Sequence, residues 1–146
     1  MDAFSTPRNR IWTFILLAIC GLLAISAGIV GIDDNPPGIL LAYIAATAFV
    51  LAFVHPWRTA GQFRRLLYVS VLGLVLFIIL NNVFAVVAHS SATADAFQKL
   101  LQSLAVVAFF LATLIFPAAL IISAVGLVAT FIRNRHHPSP GSKTAA

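Results

Sequence analysis

Four long apolar runs, separated by short polar segments, make up most of the chain. Residues 11–32, 38–54, 66–88 and 105–132 carry no charged side chain, and the third run is interrupted by Asn81 and Asn82. As a helix rising 1.5 Å per residue, the first run reaches ~33 Å, enough for a hydrocarbon core of roughly 30 Å. The pattern therefore predicts four membrane-spanning helices, over about 11–32, 37–55, 66–88 and 104–132. Just ahead of the fourth the period changes. Phe97, Leu100, Leu101 and Leu104 alternate with Gln98, Lys99 and Gln102 at helical spacing, which predicts an amphipathic surface helix over 94–103 leading into the last span. The first run also admits a secretory signal, with Ala24, Ser26 and Ala27 as a small-residue cleavage site. Its continuation to Ile32 favours a retained span.

The breaks between runs carry turn chemistry. Asp33, Asp34, Asn35, Pro36 and Pro37 separate the first two spans. The oxygen of Asp34 or Asn35 is expected to cap the second helix, and proline suits its first position, where no amide is needed. The competing reading makes Asp33 and Asp34 a carboxylate pair for a hard cation or a basic partner. His55-Pro56-Trp57-Arg58 ends the second span, 59–65 reads as a short loop, and 89–94 is a polar connection. Pro117 lies inside the fourth run and predicts a kink near 113–117. Residues 1–10 form a polar lead, and 133–146, with Pro138, Pro140 and Gly141, read as a disordered tail.

Short connections force antiparallel neighbours. The expected fold is all-α: an integral membrane four-helix bundle, up-down-up-down, forming one domain over 11–132 with a kinked fourth span. Composition agrees. The chain is 61% hydrophobic and 9% charged, too few charges to coat a soluble domain of 146 residues.

Charge decides orientation. Arg8, Arg10, Arg58, Arg64, Arg65, Arg133, Arg135 and Lys143 fall on the side of the termini, and Lys99 falls on the other with Asp33, Asp34 and Asp95. Eight basic residues against one predict cytoplasmic termini, since basic flanks are retained inside. The expected location is a multi-pass membrane position of the bacterial inner-membrane kind.

Lipid offers no hydrophobic drive for helix association, so packing relies on small residues. Ala24 with Gly28, Ala27 with Gly31, Gly38 with Ala42 and Ala46, and Ala119 with Ser123 and Gly126 stand at the required spacing.

Chemistry is sparse. No phosphate loop, dinucleotide glycine motif, zinc spacing or serine elbow occurs, so no catalytic residue, metal or cofactor is assigned. His55 and His89 fall at opposite ends of their spans, on the order of 30 Å apart, too far to share a haem within one chain. Asn81, Asn82 and His89 fall toward the same end as Asp33, Asp34, Asn35, Gln98 and Gln102. They read either as interhelical polar contacts or as one outer polar pocket. Arg58, Arg64, Arg65 and Arg133 suit anionic lipid heads, and without interleaved aromatics they do not suit nucleic acid.

The function expected is a small non-catalytic membrane protein, a structural or accessory subunit that packs against itself or a larger complex. The alternative is a small carrier, channel-like protein or membrane enzyme whose outer pocket takes an ion, a proton or a lipid head group.

Overall fold

A computed structural model describes residues 6–32, 35–90 and 95–136 of the chain, which are all helix and turn. The helices are α1 (Pro7–Val30), α2 (Pro36–Val54), α3 (Ala60–Ser90), α4 (Asp95–Phe110) and α5 (Phe116–His136). A π-helical turn, Leu111–Ile115, joins α4 to α5, so these two form one long helix. By length and apolarity α1, α2, α3 and the composite α4–α5 are each able to cross a membrane.

The helix starts are set by local chemistry. Pro7 opens α1 at a position where its missing N–H is no loss, so Arg8 and Arg10 lie on the helix rather than in a lead. α3 begins at Ala60, not after a loop ending at Arg65. The reason is a capping arrangement at Thr59-x-x-Gln62. Gln62 Oε1 accepts from the Thr59 hydroxyl (2.9 Å), the Thr59 amide (3.3 Å) and the Arg58 amide (3.2 Å). Arg64 and Arg65 therefore stand on the first turns of α3.

The turn between α1 and α2 depends on two glycines. Gly31 ends α1 with φ 88°, in the region that L side chains avoid. Gly38 lies so close to the Gly31 carbonyl that a Cβ there would overlap it. Asn35 stands at the expected cap position of α2, but its side chain makes no cap bond. Instead its Nδ2 donates 2.8 Å back to the carbonyl of Val30. Pro36 and Pro37 lack amides, so α2 begins with fewer donors to satisfy, whereas the last carbonyls of α1 still need partners.

Adjacent helices pack antiparallel, but they lie in an open row instead of a closed bundle. Among the described residues α1 packs directly only on α2, and α3 only on α4, the π turn and α5. The order across the molecule is α1, α2, α4–α5, α3. Two small-residue faces on α2 account for it. Gly38, Ala42, Ala45 and Ala52 turn toward α1, where Thr13 Oγ1 donates to the carbonyl of Ala52 (3.3 Å). Ala46, Val50 and Val54 form a cluster with Phe63, Ala118 and Ala119.

The interior is built from alanine. Of the expected packing residues, Ala27, Gly38, Ala42, Ala46, Ala119 and Ser123 are buried, while Ala24 and Gly28 are exposed. The large apolar side chains point outward: Phe14, Ile29, Leu72 and Val86 are 71%, 81%, 70% and 66% exposed. That inverts the arrangement of a soluble protein, where such side chains fill the core. Between α3 and α5, Gly126 receives the ring of Phe63 and Gly73 receives the ring of Phe116.

Pro117 has no N–H for the carbonyl of Thr113. The helix passes this point by the π turn, closed by the Phe116 amide to the Leu111 carbonyl. Hydroxyls along the helices bond to carbonyls one turn back: Ser26 to Leu22, Thr47 to Tyr43, Thr113 to Phe109 and Thr130 to Gly126, at 2.7–2.9 Å. Such bonds satisfy the hydroxyls within their own helices.

Candidate functional site

Two ends of the molecule carry polar side chains. At the end of the interhelical turns, Asn81 and Asn82 diverge. Asn81, half-buried on α3, donates Nδ2 to the carbonyl of Ala105 on α4 at 2.9 Å. Asn82 is exposed and donates Nδ2 to the carbonyl of Ile78 on its own helix at 2.8 Å. Their amide nitrogens are thus both engaged with helix carbonyls, on different faces. Gln98 is half-buried and Gln102 exposed on α4, and Asn35 is turned back onto α1. Asp33, Asp34 and the side chain of His89 lie outside the described residues. Within those residues, this end offers one interhelical polar tie, Asn81 to Ala105, and no group of three or more His, Cys, Asp or Glu placed to hold a metal ion.

The opposite end, bearing residues 6 and 136 and the α2–α3 turn, is basic. Arg58, Arg64, Arg65 and Arg133 are all exposed there. Arg133 Nη2 donates to the carbonyl of Arg58 at 3.2 Å, tying the end of α5 to the α2–α3 turn. Arg64 borders a shallow groove with Leu127 and Phe131, and the guanidinium of Arg135 lies 4.6 Å over the Phe131 ring. Trp57 meets Phe63 edge to face, 5.9 Å between centroids.

Between the start of α1 and the end of α2 this basic end opens into a groove of about 470 Å³. Arg8 and Arg58 line it with Trp12, Leu16 and His55. His55 is held by Nδ1, 3.1 Å from the carbonyl of Ala52, while its Nε2 is buried with no partner. Among the described residues neither the Arg8 nor the Arg58 guanidinium has an acceptor. The reading of the sequence placed Arg58 at a lipid surface but did not join it to Arg8, Trp12 or His55. A signal was present: residues 8, 12 and 16 recur every four positions and so share a helix face. Its partner across the groove comes from α2, and that juxtaposition is tertiary.

A second groove, about 370 Å³, is apolar. Cys20 and Ala24 of α1, Ala45 of α2, Phe110 and Leu114 lie along it. It runs across α2, with α1 along one rim and the π turn along the other.

The chain matches no protein-family model, and no curated protein or solved structure is detectably similar to it.

Proposed function

We propose that this chain is an integral membrane protein with four spans and cytoplasmic termini, acting as a non-catalytic structural or accessory subunit that associates laterally with a second copy or a larger membrane complex. The observation that carries this reading is the open row. α1 and α3 are edge helices, each packed on one neighbour, and both turn large apolar side chains outward. A helix packed on one side keeps its other sides for lipid or for another protein. Close approach through small residues, as at Ala27 of α1, is the means by which helices join in lipid. The exposed Ala24 and Gly28 on α1 give a second such face.

The orientation rests on the excess of arginine at the end bearing the termini. A bend of the fourth span at the π turn belongs to the same reading, since Pro117 and the π turn both disturb the regular ladder there. Asn81 serves this reading as a packing contact, not as a ligand.

The test is extraction of the full chain in mild detergent followed by mass measurement of the native particle. The expected result is a homo-oligomer or a stoichiometric partner. A monomer that carries only detergent and lipid overturns the subunit reading. Reporter fusions at each end are expected to place both termini in the cytoplasm.

A further inference from the structure

We infer that the groove between the start of α1 and the end of α2 is a binding site for the phosphate of an anionic phospholipid, with a glycerol-type head group rather than an ethanolamine one. The inference rests on the proposal that α1 and α2 cross a membrane.

Three features converge. Arg8 of α1 and Arg58 of the α2–α3 turn bring two positive charges to one groove, and none of its described lining residues is acidic. Of the four acids in the chain, Asp2, Asp33 and Asp34 lie outside the described residues, and Asp95 begins α4 at the other end. A phosphodiester oxygen is a suitable acceptor for two unpaired guanidinium groups, whose planar donor fork matches phosphate as it does carboxylate. The start of α1 adds to this. Thr6 also lines the groove and gives no side-chain cap, so its hydroxyl does not occupy the positive end of the helix dipole.

His55 supplies the second feature. Buried polar atoms without partners are uncommon and call for an explanation. Nδ1 donates to the Ala52 carbonyl, and, in a side chain that lines the groove, Nε2 is buried without a partner. A glycerol head group carries hydroxyls that can donate to it after a small shift of the ring. An ethanolamine head group carries an ammonium, and the described lining of the groove has no carboxylate to pair it.

Depth is the third. Trp12 is four residues and Leu16 eight residues further along α1 than Arg8, which is roughly 6 and 12 Å at the helical rise. A lipid whose phosphate sits between Arg8 and Arg58 lays its glycerol backbone beside Trp12, the side chain best suited to the interface, and its chain beside Leu16. The groove volume is in the range of sites that hold small molecules, so it can admit a head group as a whole.

The experiment uses the full chain in nanodiscs and native mass spectrometry. Phosphatidylglycerol is expected to be retained in preference to phosphatidylethanolamine and phosphatidylcholine. The double variant Arg8→Gln/Arg58→Gln is expected to lose that retention by about thirtyfold, taking about 1 kcal/mol per arginine near the surface as the guide. Arg10→Gln/Arg135→Gln removes the same charge from the same end and is expected to change retention less than about twofold. Equal losses from the two double variants mean general surface charge and overturn the site, as does equal retention of phosphatidylethanolamine. If inorganic phosphate in a phosphatidylcholine disc raises the melting temperature as much as phosphatidylglycerol does, the lipid assignment is overturned. Should the double variant lose its helical circular dichroism, Arg8→Gln alone, at an exposed first turn, carries the test with about a fivefold loss expected on the same guide. An alkaline carbonate wash of the source membranes separates the two levels. Release of the protein overturns the membrane reading, whereas resistance to the wash without lipid preference overturns the groove alone.

Discussion

Asn81 donates its side-chain amide across the α3–α4 contact to the backbone carbonyl of Ala105, 2.9 Å away, while the adjacent Asn82 bonds only to its own helix. The pair forms an internal control. Replacing Asn81 with Leu removes an interhelical bond worth about 0.6 kcal/mol on average in bundles of this kind, and up to ~1.7. Asn82→Leu removes only an intrahelical one and is expected to leave stability unchanged or slightly raised. Unfolding in mixed micelles titrated with dodecyl sulfate measures both. Equal destabilisation by the two variants would refute the assignment.

Phe63 over Gly126 makes a second testable contact. A methyl group at Gly126 meets the buried ring, so Gly126→Ala is expected to destabilise by about 1–3 kcal/mol, the usual range for overpacking. Combining it with Phe63→Leu, which vacates the space, should return part of the loss. A double-mutant cycle with no coupling would mean that the ring is not what the new methyl meets.

Glycines predict opposite outcomes on α1 and α2. Gly28 has open space around its Cα, so Gly28→Ala is expected to be neutral or to stabilise by up to about 1 kcal/mol through helix propensity. Gly38 abuts the Gly31 carbonyl, which is backbone and cannot rotate away. Gly38→Ala is therefore expected to open the α1–α2 turn and lower the melting temperature. The two variants measured side by side by circular dichroism give the comparison.

Gln62 accepts three hydrogen bonds at the start of α3. Gln62→Ala should cost about 1 kcal/mol, in line with other lost caps, with the effect reduced by exposure to water. Faster proteolysis in the α2–α3 turn at neutral overall helix content is the expected signature.

Cys20 lies half-buried near the middle of α1 on the apolar groove. A charged methanethiosulfonate reagent is expected to leave it unmodified in membranes and to modify it after dissolution in dodecyl sulfate. Rapid labelling in intact membranes would place the groove in water and contradict the membrane reading.

The four helices and much of their packing were legible in the sequence because apolar length and small-residue spacing are local signals. Gly38, Ala42, Ala46, Ala119 and Ser123 all stand where their spacing predicted. The starts of α1 and α3 were less legible. A hydropathy reading sees charged Arg8, Arg10, Arg64 and Arg65 and stops, although Pro7 and the Thr59–Gln62 pair mark helix starts. Asn35 was placed correctly and given the wrong bond. Capping logic weighs the helix that begins, and here the unfinished carbonyl of Val30 competed for the same side chain. Asn81 and Asn82 are adjacent and so point about 100° apart on a helix, which allows one of them to reach a neighbouring helix, but which one depends on where α4 packs. The open row was not legible at all. It depends on α2 carrying two packing faces, and an alanine-rich helix shows small residues on every face.

The alanine interior has a consequence for how change is tolerated. A methyl side chain has no rotamers, so the contact surfaces of α2 and α5 cannot adjust to an added carbon by turning a side chain aside. On the proposed membrane reading the outward Leu, Ile, Val and Phe positions face the opposite situation, since one large apolar group meets fluid lipid as well as another. Substitution to leucine along the chain should thus be almost all-or-none: silent at most of the bulky positions and disabling at Ala46, Ala52, Ala108 or Ala118. Most of the information that specifies this fold is held by its smallest side chains.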